Sequence, residues 1–467
     1  MKLKELKQHD LSELSLGFSP SRAYGCASDV IPVIAMHEET PNLPYYTDSA
    51  IYRTQRGLMA GRPGEVILSI TIPGQEAYLR EMGFLQGVEV IDLKPQTAQG
   101  ESTYDVLKIL ASQGAKFSDR HMLVPVIPSE EVTAQGRELG MSVLPFPSIN
   151  ITNDKVAMSA DSQAFDFNVL PRQVIHTQCD IDDAVTRFGD AKFGVWLKYP
   201  LAAGGLGVVH INAVTEDSIK TEITKMRKKI AAHYEANNAG ASFDEFWPAG
   251  AVAPKVGLVL EMDWSNLGTP KYNYCTHVLV SGEGKIELLE NIAMVTTPKG
   301  KYLGSTPCNV DDEVWEVVEP HLAGFSRASM AKGYRGIINI DWSAFTVQSR
   351  SYGVEPGIYP AIVDPNARAG GASPPMIAAN ILGAGQNWML LKLEGPRPIN
   401  TINDFIQTVG RDLATGNSNK GGLVLPQTMQ PGSPVFRVVV MGESPEHVQH
   451  ILNKQLLDAR RAQVLTD

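Results

Sequence analysis

The chain has 467 residues, 43% of them hydrophobic, enough for the cores of two to four domains and too apolar for an unstructured chain. Its 41 basic and 51 acidic residues leave a net charge of −10, which argues against nucleic acid or an anionic membrane as its main partner. No apolar stretch approaches the roughly 18 residues that span a bilayer. Cys26, Cys179, Cys275 and Cys308 show no paired spacing, and the basic start Met1 to Lys7 has no apolar core after it, so a cytoplasmic setting is expected.

Residues 1 to about 60 read as turn-rich and polar, with Tyr45, Tyr46 and Tyr52 expected against a neighbour rather than in a core. Val66 to Ile72 is an apolar, β-branched strand followed by Pro73-Gly74 and a helix from Gln75 to Met82. Strand-like runs follow at Val88 to Leu93 and Leu123 to Ile127, then a helix from Glu130 to Leu139 and a strand at Ser142 to Leu144. Strands alternating with helices predict a parallel α/β sheet.

Phe193 to His210 reads as strand, glycine loop, strand, with Lys198 just before Gly204, Gly205 and Gly207. Glycines let backbone N–H groups approach a phosphate, although the same pattern fits a plain hairpin with a surface lysine. Neither a G-x-x-x-x-G-K-[ST] nor a G-x-G-x-x-G motif occurs. A helix near Thr215 carries acids first and bases later, matching its dipole and reading as a solvated face. Lys255 to Trp264 is an apolar strand that ends in polar residues, among them Glu261 and Asp263. Lys332 to Ser343 reads as a helix end, a glycine turn and a strand carrying Asp341.

Asp364, Asn366 and Arg368 alternate after the apolar run Ile358 to Val363, so in an extended segment they share one face. Asp and Asn offer the hard oxygens Mg²⁺ prefers, and Arg can grip a phosphate. A polar turn after a strand accounts for the same residues taken alone. Asp341 and Asp364 are spaced so that one antiparallel strand can return beside the other, and two adjacent carboxylates repel without a cation between them. The ten histidines show no metal-ligand spacing. Beyond them, Met376 to Leu390 reads as a helix interrupted by Gly383 and Gly385, Ala414 to Gly422 as a mobile loop, Phe436 to Met441 as a strand, and Ser444-Pro445 as the start of a last helix.

In this order the elements resemble the ATP-grasp ligases over about residues 150 to 375. The matching positions are Lys155, Lys198 with the glycines, Glu261, Asp341, and Asp364/Asn366/Arg368. A closer similarity is to the pheganomycin-type peptide ligases and related acyl-carrier-protein ligases. It is carried by Leu123 to Glu131, Glu138 to Met141, Gly333/Arg335/Gly336 and Asn366 to Pro375. The chain departs from that family in having Asp364 where a Glu is usual, and Ala372-Ser373-Pro374 in place of a Thr-His pair.

The resemblance implies an α/β fold, α+β within the grasp. Residues 1–150 would form a pre-ATP-grasp α/β domain, 151–375 the ATP-grasp core with a flap subdomain at about 190–265, and 376–467 a small C-terminal α/β domain. It implies ATP and two Mg²⁺ ions, with Asp341, Asp364 and Asn366 as metal ligands and Lys155 and Lys198 on the phosphates. Gly204, Gly205 and Gly207 would form the flap, Glu261 and Asp263 would lie at the nucleotide, and Arg368 would meet the transferred phosphate. The reaction implied is amide or peptide bond formation from a small carboxylate and an amine. A peptide acceptor, a carrier-protein thiol, a non-catalytic nucleotide-binding module and a homodimer all stay open.

Overall fold

The computed structural model describes residues 30–35, 50–93, 96–98, 101–103, 106–125, 130–143, 154–200, 207–237, 242–268, 270–296, 302–385, 387–416, 422–457 and 462–464. The protein is a mixed α/β molecule in which one parallel sheet accompanies antiparallel sheets, as expected.

The parallel sheet is built from β1 (Ile31–Ala35), β2 (Val66–Ser69), β3 (Glu89–Asp92), β4 (His121–Pro125) and β5 (Ser142–Val143), in the order β3-β2-β1-β4-β5. Its central strand corrects the reading of the first 60 residues. Val33 and Ile34 are buried, and a 3₁₀ helix, Ala50–Met59, adds the fully buried Leu58 and Met59. A five-residue apolar run covered on both faces shows no period-two alternation, so its neighbours' turn-like composition concealed it. Tyr52 is half-buried, whereas Tyr45 and Tyr46 fall outside the described residues.

A second, antiparallel sheet has the order β8-β7-β9-β6, with β6 (Arg172–Ile175), β7 (Val195–Lys198), β8 (Val208–Ile211) and β9 (Leu258–Met262). Helices α1 (Gln178–Phe188) and α2 (Glu216–Asn237) share its core through Ile181, Phe188, Ile219 and Met226. Thr177 and Asp180 form a reciprocal capping box that starts α1.

The third sheet comprises β10 (Pro270–Val280), β11 (Ile286–Thr296), β12 (Tyr302–Pro307), β13 (Gly336–Val347), β14 (Gly357–Asn366), β15 (Trp388–Ile399), β16 (Leu423–Met429) and β17 (Ser433–Met441). Their order is β14-β13-β10-β11-β12-β15-β17-β16, and Gln463–Val464 pairs with β15. Helix α3 (Asp312–Ala331) packs Val314, Trp315, Leu322 and Phe325 in one core with Ile338, Ile340 and Trp342 of β13. Alternation along β13 therefore turns Asn339 and Asp341 to the opposite face.

The expected helix from Met376 to Leu390 is shorter. Helix α4 (Ser373–Ile381) stops before Gly383 and Gly385, both at positive φ, and Trp388 begins β15. Of the expected mobile loop, Ala414 and Thr415 belong to a short helix, Arg411–Thr415. Ala414 there is fully buried, its carbonyl accepting a hydrogen bond from the Tyr78 hydroxyl at 2.5 Å, and residues 417–421 lie outside the described set. Ser444 caps the last helix by accepting from the His447 amide, with Pro445 at its first position. No helix among the described residues is long and apolar enough to cross a membrane.

Strands β12 and β15 join through two paired positions, Gly304 with Leu391 and Ser305 with Leu390, supported by the Thr306 hydroxyl donating to the Trp388 carbonyl at 3.0 Å. A Cβ on Gly304 would stand 1.8 Å from the Leu390 carbonyl oxygen. Gly304→Ala should therefore cost roughly 3 kcal/mol of stability, in the range of backbone clashes in a core. Urea unfolding checks this, and an unchanged midpoint would show that the seam can open at no cost.

Candidate active site

Asp341 and Asp364 face each other across β13 and β14, and two pairs along, Asn339 faces Asn366. The register slips after Asp341, placing one extra residue, Val363, on β14. A bulge there bends the strand beside its acid. Asn366 Nδ2 donates to both carboxylates, at 3.2 Å to Asp341 Oδ2 and 3.4 Å to Asp364 Oδ2. Asn339 Nδ2 donates to Asp341 Oδ1 at 3.2 Å. Burial, and next the charge of Asp364, push the Asp341 carboxyl up to about 7, against the pull of Arg368, Cys275 and Asn339. Lys155, itself buried, brings Nζ to 2.9 Å from Asp364 Oδ1, yet that oxygen makes no well-directed hydrogen bond.

The second sheet supplies another charged group. Glu261 on β9 is 2% exposed, with Arg172 Nη2 at 2.6 Å from Oε2 and Lys198 Nζ on Oε1. Lys198 ends β7, and its Cα partner on β9 is Val259, two residues before Glu261. Asp263 is also engaged: it receives the Trp196 indole N–H at 2.8 Å, lies 3.2 Å from His210, and accepts from the Ser265 amide. The side-chain oxygens of Glu261 and Asp263 are thus held by protein groups.

The two groups connect. Arg172 Nη1 donates to the Lys155 carbonyl at 3.4 Å, and the segment leading into β6 docks on β14 through the Ile362 amide to Asn168 and the Tyr359 hydroxyl to Val169. A continuous path of ion pairs and hydrogen bonds therefore runs Lys198, Glu261, Arg172, the Lys155 backbone and side chain, Asp364, Asn366, Asp341. Arg368 is half-buried and close enough to Asp341 to lower its pKa. Gly207 precedes β8 at φ 64°, and Gly204 and Gly205 lie outside the described residues. Sequence reasoning missed three members. Asn339 sits two residues before Asp341 on the same face, a readable signal. Arg172 and Cys275 carry no local motif, since their partners lie far along the chain.

Among the described residues no three His, Cys, Asp or Glu side chains cluster as a metal site. The acids here are a pair completed by an amide. That pair still suits a divalent cation: its donors are hard oxygens, and burial together with the Asp364 charge raises the Asp341 carboxyl, a shift that a cation would oppose. The same face continues over β11 and β12 to Tyr302, whose ring lies 5.9 Å from the Arg437 guanidinium.

No protein-family model matches the chain, and no curated protein matches its sequence. Solved structures do match in shape. A biotin carboxylase from Campylobacter jejuni, crystallised as an ATP complex, aligns with a TM-score of 0.53 at 11% identity, over 92% of each chain. The biotin carboxylase domain of the Hydrogenobacter thermophilus 2-oxoglutarate carboxylase, with MgADP and bicarbonate, gives 0.52 at 12%, over 91% of this chain and 89% of that one. An N5-carboxyaminoimidazole ribonucleotide synthetase with ADP gives 0.50 at 12%, over 92% and 97%. The fold is the ATP-grasp fold. Similarity at this identity speaks for architecture, and it does not single out the pheganomycin-type ligases.

An acid with a raised pKa keeps its proton in the folded chain after the unfolded chain has lost it. Without metal, Asp341 therefore lowers stability as pH rises from the ordinary 3.8 to about 7. A cation bound there competes with that proton. Mg²⁺ should accordingly raise the melting temperature more at pH 8 than at pH 6, and Asp341→Asn should abolish the increment at both. Thermal melts with Mg²⁺ or EDTA decide; an increment independent of pH would refute the assignment.

Proposed function

We propose that this chain is an ATP-dependent ligase that joins a carboxylate to an amine and releases ADP and phosphate. The observation that carries the reading is the facing pair Asp341 and Asp364, linked through Lys155, Arg172 and Glu261 to Lys198. Two acids with Lys155, Lys198 and Arg172 close by suit a polyphosphate bound with a metal, because a transferring phosphoryl group needs cations on several sides. The neighbours' MgADP and ATP complexes support the same choice of nucleotide and metal.

In this reading Asp341, Asp364 and Asn366 hold Mg²⁺, which neutralises phosphate charge when bound. Lys155 and Lys198 face the phosphates, and Glu261 with Arg172 fixes where Lys198 points. A substrate carboxylate oxygen attacks the γ-phosphorus, the bond to the β,γ-bridging oxygen breaks, and ADP leaves. The acyl phosphate formed is then attacked by the amine nitrogen; phosphate departs and the amine proton passes to solvent. Arg368 stabilises the negative charge on the transferred phosphoryl oxygens. The basic end of the face, at Arg437, suits an anionic carboxylate.

Incubation with Mg²⁺ATP, a panel of carboxylates and hydroxylamine should release ADP and form a hydroxamate with the true substrate. ADP without hydroxamate would contradict the acyl phosphate. Lys198→Ala should lower ADP release at least about 100-fold, the scale for removing a charge aimed at a transition state. Its circular dichroism should be unchanged, and full turnover in this variant would refute the role.

A further inference from the structure

One buried amide ties the acid pair to the neighbouring strand and to the loop that carries Arg368. Asn339 Oδ1 accepts the Cys275 thiol at 2.8 Å, while its Nδ2 donates to Asp341 Oδ1 at 3.2 Å. Cys275 lies on β10 directly opposite Asp341, within reach of its carboxyl as well as of the Asn339 amide, and is 4% exposed; Asn339 is 9% exposed. A thiol facing the Asn339 oxygen fixes which way the amide turns, since S–H donates and only Oδ1 can accept. Gly370 closes the third side: a Cβ there would stand 2.3 Å from Asn339 Oδ1.

We propose that Cys275, Asn339 and Gly370 form a positioning relay that holds Asp341 Oδ1, leaving Oδ2 to face Asp364 and a divalent cation. The inference rests on the metal-dependent reading above. These three are positioning residues and touch neither nucleotide nor substrate. Asn366 meets the other side of Asp341 and must turn its amide oxygen toward a cation to serve as ligand, so it cannot hold Asp341 at the same time. Asn339 is free of that conflict and keeps the carboxylate oriented. Gly370 has an ordinary φ, so its lack of a side chain serves the close approach of Asn339 rather than a special backbone shape.

The test is Mg²⁺ binding to the full chain with ADP, by isothermal titration calorimetry, together with the Mg²⁺ dependence of ADP release. Asn339→Ala, Cys275→Ala and Gly370→Ala should each weaken Mg²⁺ about 10-fold or more, the scale for groups that orient metal ligands. Cys275→Ser keeps a donor and should stay near wild type. Cys308→Ala, which changes a thiol outside the relay, should match wild type. Excess Mg²⁺ should restore the rate of Cys275→Ala, a rescue that loss of packing alone would not give. Wild-type affinity in Cys275→Ala and Asn339→Ala would overturn the relay and leave the proposed function standing. Absence of Mg²⁺ binding in the wild type would overturn both.

Discussion

Two carboxylates on neighbouring strands repel, and the rest of the site follows from the chain's having placed Asp341 against Asp364. The pairing is set by strand register: β13 buries Ile338, Ile340 and Trp342 under α3, so Asp341 cannot slip by one residue without turning three large apolar groups to the other face. The repulsion is therefore built in and must be met locally. Lys155 meets it at Asp364, two amides meet it at Asp341, and proton retention by Asp341 meets what is left.

The second sheet solves a related problem. A carboxylate as buried as Glu261 is tolerable only when paired, and here two cations share it. Arg172 holds Oε2 of Glu261 with a planar guanidinium that is itself buried. Lys198 is thereby drawn to a fixed place at the end of β7, beside the residues expected to form a flap. Because Arg172 also donates to the Lys155 carbonyl, the two charged groups are mechanically joined although they belong to different sheets.

The acid pair was legible in the sequence because its signals are local. Alternation in Asp364 and Asn366 and the glycine turn before Asp341 are short-range patterns, and both lead to the observed strands, whereas Arg368 falls in a turn just past the end of β14. The parallel sheet was legible for the same reason, apart from β1. Strands β10, β11 and β12 were not foreseen: segments such as Pro270–Val280 mix tyrosines, Cys275 and His277, and their polar positions make sense only beside partners on other strands. Trp388 to Leu390, the start of β15, read as the end of a helix because their apolar run lacks a period that would tell strand from helix. Arg172 and Cys275 were invisible since what they do depends on residues distant in the chain.

The central claim is that burial and the facing Asp364 raise the Asp341 carboxyl, and that a divalent cation displaces its proton. Carbon-13 NMR of the aspartate carboxyls, with Asp341→Asn to assign the signal, tests it most directly. The account predicts a carboxyl titrating near 7 without metal, and loss of that titration when Mg²⁺ and ADP are added. A carboxyl that titrates in the ordinary aspartate range, or one that Mg²⁺ leaves untouched, would contradict it.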